Sequence, residues 1–212
     1  MRYHNLLFDL DGTLVDPKIG ITQSIQYALA KLDLSIPAMK ELEWCIGPPL
    51  QHSFAKLVDP SLIERALEYY REQYVKIGCF EHRVYPGIFE MLSIFCKSKI
   101  RLFIATSKPT LFAEKIADHF GLSPFFEKIY GSEMNGVRSD KADLLRYIQE
   151  KSALRGPSLM VGDRGIDMAA AVENQIEPLG VAYGYGSQKE LLDAGAVHIC
   201  NFPMEIIQWL GS

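Results

Sequence analysis

Hydrophobic positions begin early in the chain and then change period. Leu6-Leu7-Phe8 follows Asn5 as an unbroken apolar run that stops at Asp9. A short continuous run of this kind predicts a buried strand over residues 5–8. The spacing then becomes helical, with Ile21, Ile25, Leu29 and Leu32 about one turn apart between Lys18 and Asp33. Shorter helical segments are predicted over Met39 to Cys45 and Leu50 to Val58, separated by Gly47-Pro48-Pro49. The longest runs from Pro60 to Ile77. Leu62, Ala66, Leu67, Tyr70 and Tyr74 share one of its faces, and Gly78 stands where a helix C-terminal glycine belongs.

From about Val84 onwards, β-rich runs alternate with helical ones. The runs are Ile100 to Ala105, Phe126 to Tyr130, Ser158 to Val161, Glu177 to Ala182 and Val197 to Ile199. Helices are predicted at Gly87 to Lys97, Thr110 to Phe120, Asp140 to Glu150, Ile166 to Asn174, Gln188 to Asp193 and Pro203 to Leu210. This alternation predicts an α/β fold with a parallel sheet and right-handed crossovers. An all-helical insertion, residues 17–82, interrupts a core made of residues 1–16 and 83–212. Proline and turn chemistry place the hinges near Asp16-Pro17 and Arg83 to Pro86. The sequence contains no internal repeat and no low-complexity tract.

Composition narrows the function classes. The chain has 212 residues and 48% hydrophobic content, enough for a sizeable core and an argument against disorder. A formal net charge of -4 supplies no overall basic field, so neither nucleic acid nor a membrane surface is an expected partner. A small anionic substrate would need local help. Cys45, Cys79, Cys96 and Cys200 are scattered, with no Cys-x-x-Cys pair and no histidine placed to complete a zinc site, and read as reduced thiols. The N-terminus passes directly into the first strand, and no apolar stretch is long enough to span a bilayer. The expected location is the cytoplasm. Oligomeric state, monomer or homodimer, is not legible.

Candidate chemistry gathers at strand ends, where open α/β sheets bind ligands. Asp9 and Asp11 are two residues apart on an extended chain and project to one side, while Leu10 points away. Gly12 then permits a sharp turn. Two adjacent acids repel each other, and a divalent cation is the simplest remedy. An ordinary Asp-Gly turn would look the same, whereas a calcium loop would need further oxygen ligands that Val15, Asp16 and Pro17 do not supply. Thr106-Ser107-Lys108-Pro109 puts hydroxyls and backbone N–H groups before a helix, which suits a phosphate or a plain helix cap. Lys141 opens a predicted helix, where it opposes the dipole unless it holds an anion or is offset by Asp140 and Asp143. Gly162-Asp163 ends another strand, with Asp167 four residues on. A third strand-end carboxylate would complete a hard oxygen site suited to Mg²⁺.

These pieces in this order, Asp9-Leu10-Asp11-Gly12-Thr13, Thr106, Lys141, and Gly162-Asp163 with Asp167, resemble the haloacid dehalogenase superfamily over essentially the whole chain. The resemblance implies a Rossmann-like parallel-sheet core, and the helical insertion looks like that family's C1 cap. Ile46-Gly47-Pro48-Pro49-Leu50, Gly131-Ser132 and Gly180-Val181-Ala182-Tyr183-Gly184-Tyr185-Gly186 are similar to its phosphoglycolate-phosphatase-like branch. It further implies that Asp9 is a nucleophile forming an aspartyl-phosphate. Asp11 would protonate the leaving alkoxide and then deprotonate water. Mg²⁺ would sit on Asp9, the Asp11 backbone carbonyl and Asp163, with Asp167 behind them or ligating through water. Thr106, Ser107 and Lys141 would bind the phosphoryl group, and Gly47 and Pro48 the rest of the substrate. An acid at position 11 separates phosphatases from dehalogenases, whose halide leaves without a proton.

The implied reaction is Mg²⁺-dependent hydrolysis of a small phosphorylated metabolite, with phosphoglycolate first and a nucleoside monophosphate or sugar phosphate next. A β-phosphoglucomutase-like mutase shares the same core. A phosphonate hydrolase would require a Schiff-base lysine among Lys31, Lys40 and Lys56. A non-catalytic binding module is the alternative from another class. His52, Arg83, Lys108 and Arg164 read first as surface residues and second as substrate contacts, and Tyr183 and Tyr185 first as structural groups and second as ring-stacking ones.

Overall fold

The structure is a computed structural model that describes residues 2–152 and 154–211. In chain order its elements begin with β1 (Asn5–Phe8), β2 (Val15–Asp16), α1 (Lys18–Lys31), α2 (Leu50–Leu57), α3 (Ile63–Lys76), β3 (Arg83–Val84), α4 (Ile88–Cys96) and β4 (Arg101–Pro109). They continue with α5 (Thr110–His119), β5 (Lys128–Ser132), α6 (Lys141–Ser152), β6 (Ser158–Gly162), α7 (Gly165–Glu173), β7 (Glu177–Val181), α8 (Gln188–Asp193), β8 (His198–Cys200) and α9 (Pro203–Gly211). The chain divides into two compact units, Met1–Asp16 with Val84–Ser212, and Pro17–Arg83.

The larger unit is an α/β layer structure around a six-stranded sheet of order β5-β4-β1-β6-β7-β8. Every pairing in it is parallel. β1 lies in the middle, with Phe8 opposite Ile104 on one side and Val161 on the other. The chain builds outward through β4 and β5, then returns to β6 and builds the other way. The carboxyl ends of β1, β4 and β6 therefore meet at the point where strand order reverses, the ligand crevice of such sheets.

Helices cover both faces, which explains why the central strands are apolar without alternation. On one face Leu7, Phe103, Ala105 and Met160 pack with Leu144, Leu145 and Ile148 of α6 and Ala170 and Ala171 of α7. On the other, Phe8 meets Phe95 and Phe126 at ring separations of 6.4 and 6.2 Å.

The sequence pattern does not predict the two-residue strands β2 and β3, and among the predicted strands two depart furthest from expectation. β4 does not stop at Ala105 but continues to Pro109, and β5 begins at Lys128 rather than Phe126. A 3-10 turn at Ser123–Phe125 delivers Phe126 into the core beneath Phe8, so strand pairing starts two residues later.

The smaller unit is helical. Ile21, Ile25, Ala28 and Leu29 of α1 are buried, as are Ala66, Leu67, Tyr70 and Tyr74 of α3. Phe54 meets Tyr70 edge-on, Tyr70 stacks on Tyr74, and the Tyr74 hydroxyl bonds to His82 Nε2 at 3.0 Å. The segment expected as one helix over 60–77 is a 3-10 turn, Pro60–Leu62, followed by α3. Asp59 accepts a hydrogen bond from the Ser61 N–H and tightens that first turn. Gly78 is not a left-handed cap. It opens a 3-10 turn whose carbonyl approaches Gly20 so closely that a Cβ on Gly20 would lie 2.0 Å from it. Among the described residues, no helix is long and apolar enough to cross a membrane.

Candidate active site

The chain leaves β1 at Phe8, and the Asp9 N–H donates to Val161 O at 2.9 Å, which ties Asp9 to the end of β6. A tight turn follows, closed by the Leu14 N–H on Leu10 O (2.9 Å) and the Gly12 N–H on Val15 O (2.8 Å). Gly12 has φ +85°, and a Cβ there would lie 2.2 Å from Asp163 Oδ2. Position 12 therefore needs glycine both for its left-handed backbone and for the close approach of an acid.

Asp163 follows β6 and is fully buried. Thr13 Oγ1 donates to its Oδ1 at 3.2 Å, and the Tyr185 N–H donates to its Oδ2 at 2.8 Å. Asp167 lies in the first turn of α7 and accepts the Arg164 N–H at 3.1 Å. Lys141, the first residue of α6, is buried rather than solvated. Its Nζ donates to Asp9 Oδ1 and to Ala105 O, each at 2.9 Å, and pairs with Asp167 Oδ1 at 2.7 Å. Asp140 stays outside and caps the helix through the N–H groups of Ala142 and Asp143.

Asp9, Asp163 and Asp167 each offer a carboxylate oxygen, all within 4.8 Å of one another. Burial, then the charges of Asp167 and Asp9, push the Asp163 carboxyl well above the usual range. Asp167 is pushed up to about 6, chiefly by burial and by Asp9, against the opposing pull of Lys141. Burial alone would lower the Lys141 ammonium, but Asp167 and Asp9 outweigh it and hold the proton more tightly than usual. Hard carboxylate oxygens this close, straining to take up protons, form a donor set that fits a divalent cation.

Asp11 has a separate partner. Its Oδ2 is 2.5 Å from Lys108 Nζ, and both side chains are 8% exposed. The repulsion foreseen between Asp9 and Asp11 is thus answered first by two ammonium groups, one for each acid. Four carboxylates against two ammoniums leave a formal charge of 2 − 4 = −2 when all are ionised, which a divalent cation would balance.

The structure also places several other candidates. Thr106 is buried, its Oγ1 accepting the Lys108 N–H at 3.3 Å. Ser107 Oγ is buried and has no hydrogen-bond partner among the described residues. Neither caps α5, whose N-terminus at Pro109 has no side-chain cap. Gly47 and Pro48 belong to the helical unit, between a 3-10 turn at Met39–Cys45 and α2. Arg164 pairs with Glu190 at 3.1 Å. Tyr183 donates to Thr13 O at 3.0 Å, and the Tyr185 hydroxyl bonds to Asp16. Sequence reasoning gave Thr13 and Lys108 no firm role. The available signal for Lys108 was its position two residues beyond Thr106 at a strand end.

A parallel sheet with acids and lysines gathered at its switch point makes a charged ligand crevice in an α/β fold. Residues 6–181 match the family described as Haloacid dehalogenase-like hydrolase, and the chain belongs to that family. Among curated relatives it is 42% identical over 203 residues to a 5'-nucleotidase of Pseudomonas aeruginosa, covering 94% of this chain and 92% of that protein. It is 32% identical to the Tyrosine-protein kinase PtkA of Mycobacterium tuberculosis, over 85% of this chain and 62% of that protein. It is 29% identical to a Phosphoglycolate phosphatase of Pseudomonas syringae, over 89% and 72%. Among solved structures, a predicted phosphatase from Clostridium acetobutylicum superposes with a TM-score of 0.93 at 39% identity, covering 99% of both chains. The chain is a hydrolase of phosphate monoesters.

Proposed function

We propose that this phosphatase works through an aspartyl-phosphate on Asp9, with Mg²⁺ as cofactor and a nucleoside 5'-monophosphate as substrate. The observation that carries the reading is the buried Asp9 carboxylate, fixed in rotation by Lys141 at 2.9 Å and set within 4.8 Å of Asp163 and Asp167 oxygens. Asp9 attacks phosphorus while the bond from phosphorus to the leaving oxygen breaks. Asp11 gives that oxygen its proton, then takes one from the water that releases phosphate and restores Asp9. Lys141, the Thr106 hydroxyl and the buried Ser107 hydroxyl gather the phosphoryl oxygens, so the work is mainly positioning and electrostatics.

Mg²⁺ held by Asp9, Asp163 and the Asp11 backbone carbonyl, with Asp167 beside them, would screen the repulsion between carboxylate and phosphate. The helical unit, with Gly47 and Pro48, serves as the cap that selects the alcohol. The nucleotide is preferred because the 5'-nucleotidase shares 42% identity over nearly the full length of both chains. Phosphoglycolate is the second reading, favoured by the relatives of that name at 29%. The test is phosphate release from a panel of nucleoside 5'-monophosphates, phosphoglycolate and sugar phosphates, with Mg²⁺ and with EDTA. Turnover should require Mg²⁺ and vanish in Asp9→Asn. Retained turnover in that variant would remove Asp9 as the nucleophile.

A further inference from the structure

β4 is irregular at its end: its register against β5 shifts between Ala105 and Pro109, across Thr106, Ser107 and Lys108. Irregularities of this kind re-aim side chains next to active sites. Here the neighbouring strand fixes the result. Ser132 Oγ donates to Ser107 O at 3.0 Å. Thr110 Oγ1 accepts the Gly131 N–H at 3.1 Å and donates to Ser132 O at 3.2 Å. Gly131 lies against the Lys108 carbonyl so tightly that a Cβ there would be 2.3 Å from the oxygen. Gly131 and Ser132 therefore form a seat for the Ser107–Lys108 backbone. From that seat the Lys108 ammonium reaches Asp11 Oδ2 at 2.5 Å, in surroundings nearly closed to water. Lys141 serves Asp9 and Asp167 instead.

We propose that Lys108 is a positioning residue for Asp11, aimed by the Gly131-Ser132 seat so that the carboxylate is held ready at the strand end. The inference rests on the reading of Asp11 as proton shuttle. In each turnover Asp11 protonates the leaving oxygen as its bond to phosphorus breaks, and regains a proton from the attacking water. Lys108 acts through the place it gives that carboxylate.

The test uses the Mg²⁺-loaded enzyme and compares kcat/KM for a nucleoside 5'-monophosphate, whose alkoxide must be protonated, with that for p-nitrophenyl phosphate, whose nitrophenolate leaves unaided. Lys108→Met should lose about 100-fold on the nucleotide, mostly in kcat, and under about 5-fold on the aryl ester, as expected when a general acid is misplaced. Lys108→Arg should recover about tenfold of that loss, since a cation returns. Ser132→Ala, which removes no charge, should show the same leaving-group dependence at about 5- to 10-fold, and keeps the proposal testable if Lys108→Met does not fold. Equal losses on both substrates, or no loss, would overturn it. Asp11→Asn is run alongside. If it discriminates and the Lys108 and Ser132 variants do not, the positioning role alone falls. If Asp11→Asn does not discriminate, the shuttle reading falls and takes the proposal with it.

Discussion

Lys141→Met removes the ammonium that touches two of the three clustered carboxylates, Asp9 at 2.9 Å and Asp167 at 2.7 Å. Removing one partner of a buried ion pair costs about 3–5 kcal/mol, because the remaining charge has neither water nor partner. The lost bond to Ala105 O adds about 1 kcal/mol. Proton uptake by the orphaned acids offsets part of this, since Asp167 is already pushed up to about 6 with the lysine in place. A net loss of about 3 kcal/mol at pH 7.5 follows, which for a chain of 212 residues lowers the unfolding midpoint by roughly 6–12 °C. The assay is thermal unfolding in EDTA, repeated across a Mg²⁺ titration. Mg²⁺ should stabilise the variant more than the parent, because it meets one more uncompensated charge. Adding Asp167→Asn should recover more than about 1 kcal/mol, revealing the coupling in a double-mutant cycle. An EDTA midpoint within 2 °C of the parent would refute the reasoning, since the three acids could not then share the buried cluster described.

Other expectations bear on the same site. In EDTA, Asp167 binds its proton more tightly folded than unfolded, its value rising from 3.8 to about 6. The stability it contributes is therefore complete below about pH 4 and lost as pH rises through about 6. Denaturant titrations should show a shallower fall in Asp167→Asn, and an unchanged slope would count against the assignment. Gly12→Ala forces a side chain into a left-handed backbone, at about 1–2 kcal/mol, and pushes on Asp163. The Mg²⁺ concentration for half-maximal phosphate release should rise at least about tenfold, the usual scale for disturbing a ligand's support.

Much of the sheet was legible because a buried parallel strand must be apolar and short. Asn5 to Phe8, Ser158 to Gly162 and Glu177 to Val181 obey that rule, and helical spacing marked α1 and α3 equally well. The failures lie where local signals compete with packing. Phe126 has every propensity for a strand, yet its ring belongs under Phe8 and the strand begins at Lys128. Thr106 to Pro109 reads as a loop before a helix, but β4 continues through it because Gly131 lets the backbones close. Lys141 was ambiguous in isolation, since a lysine in the first turn of a helix is ordinarily solvated.

The sequence by itself determined the order of the elements and which positions carry acids at strand ends. These depend on period and on residue type, both of which are local. It also located Asp9, Asp11, Thr106, Lys141, Asp163 and Asp167 along the chain. Only the tertiary structure decided which charge answers which. Asp9 and Asp11 are two residues apart, yet their lysines come from 132 residues away for Asp9 and from the far end of β4 for Asp11. Such pairings follow from strand order and from close approaches at glycines, and no spacing along a chain encodes a distance across a sheet.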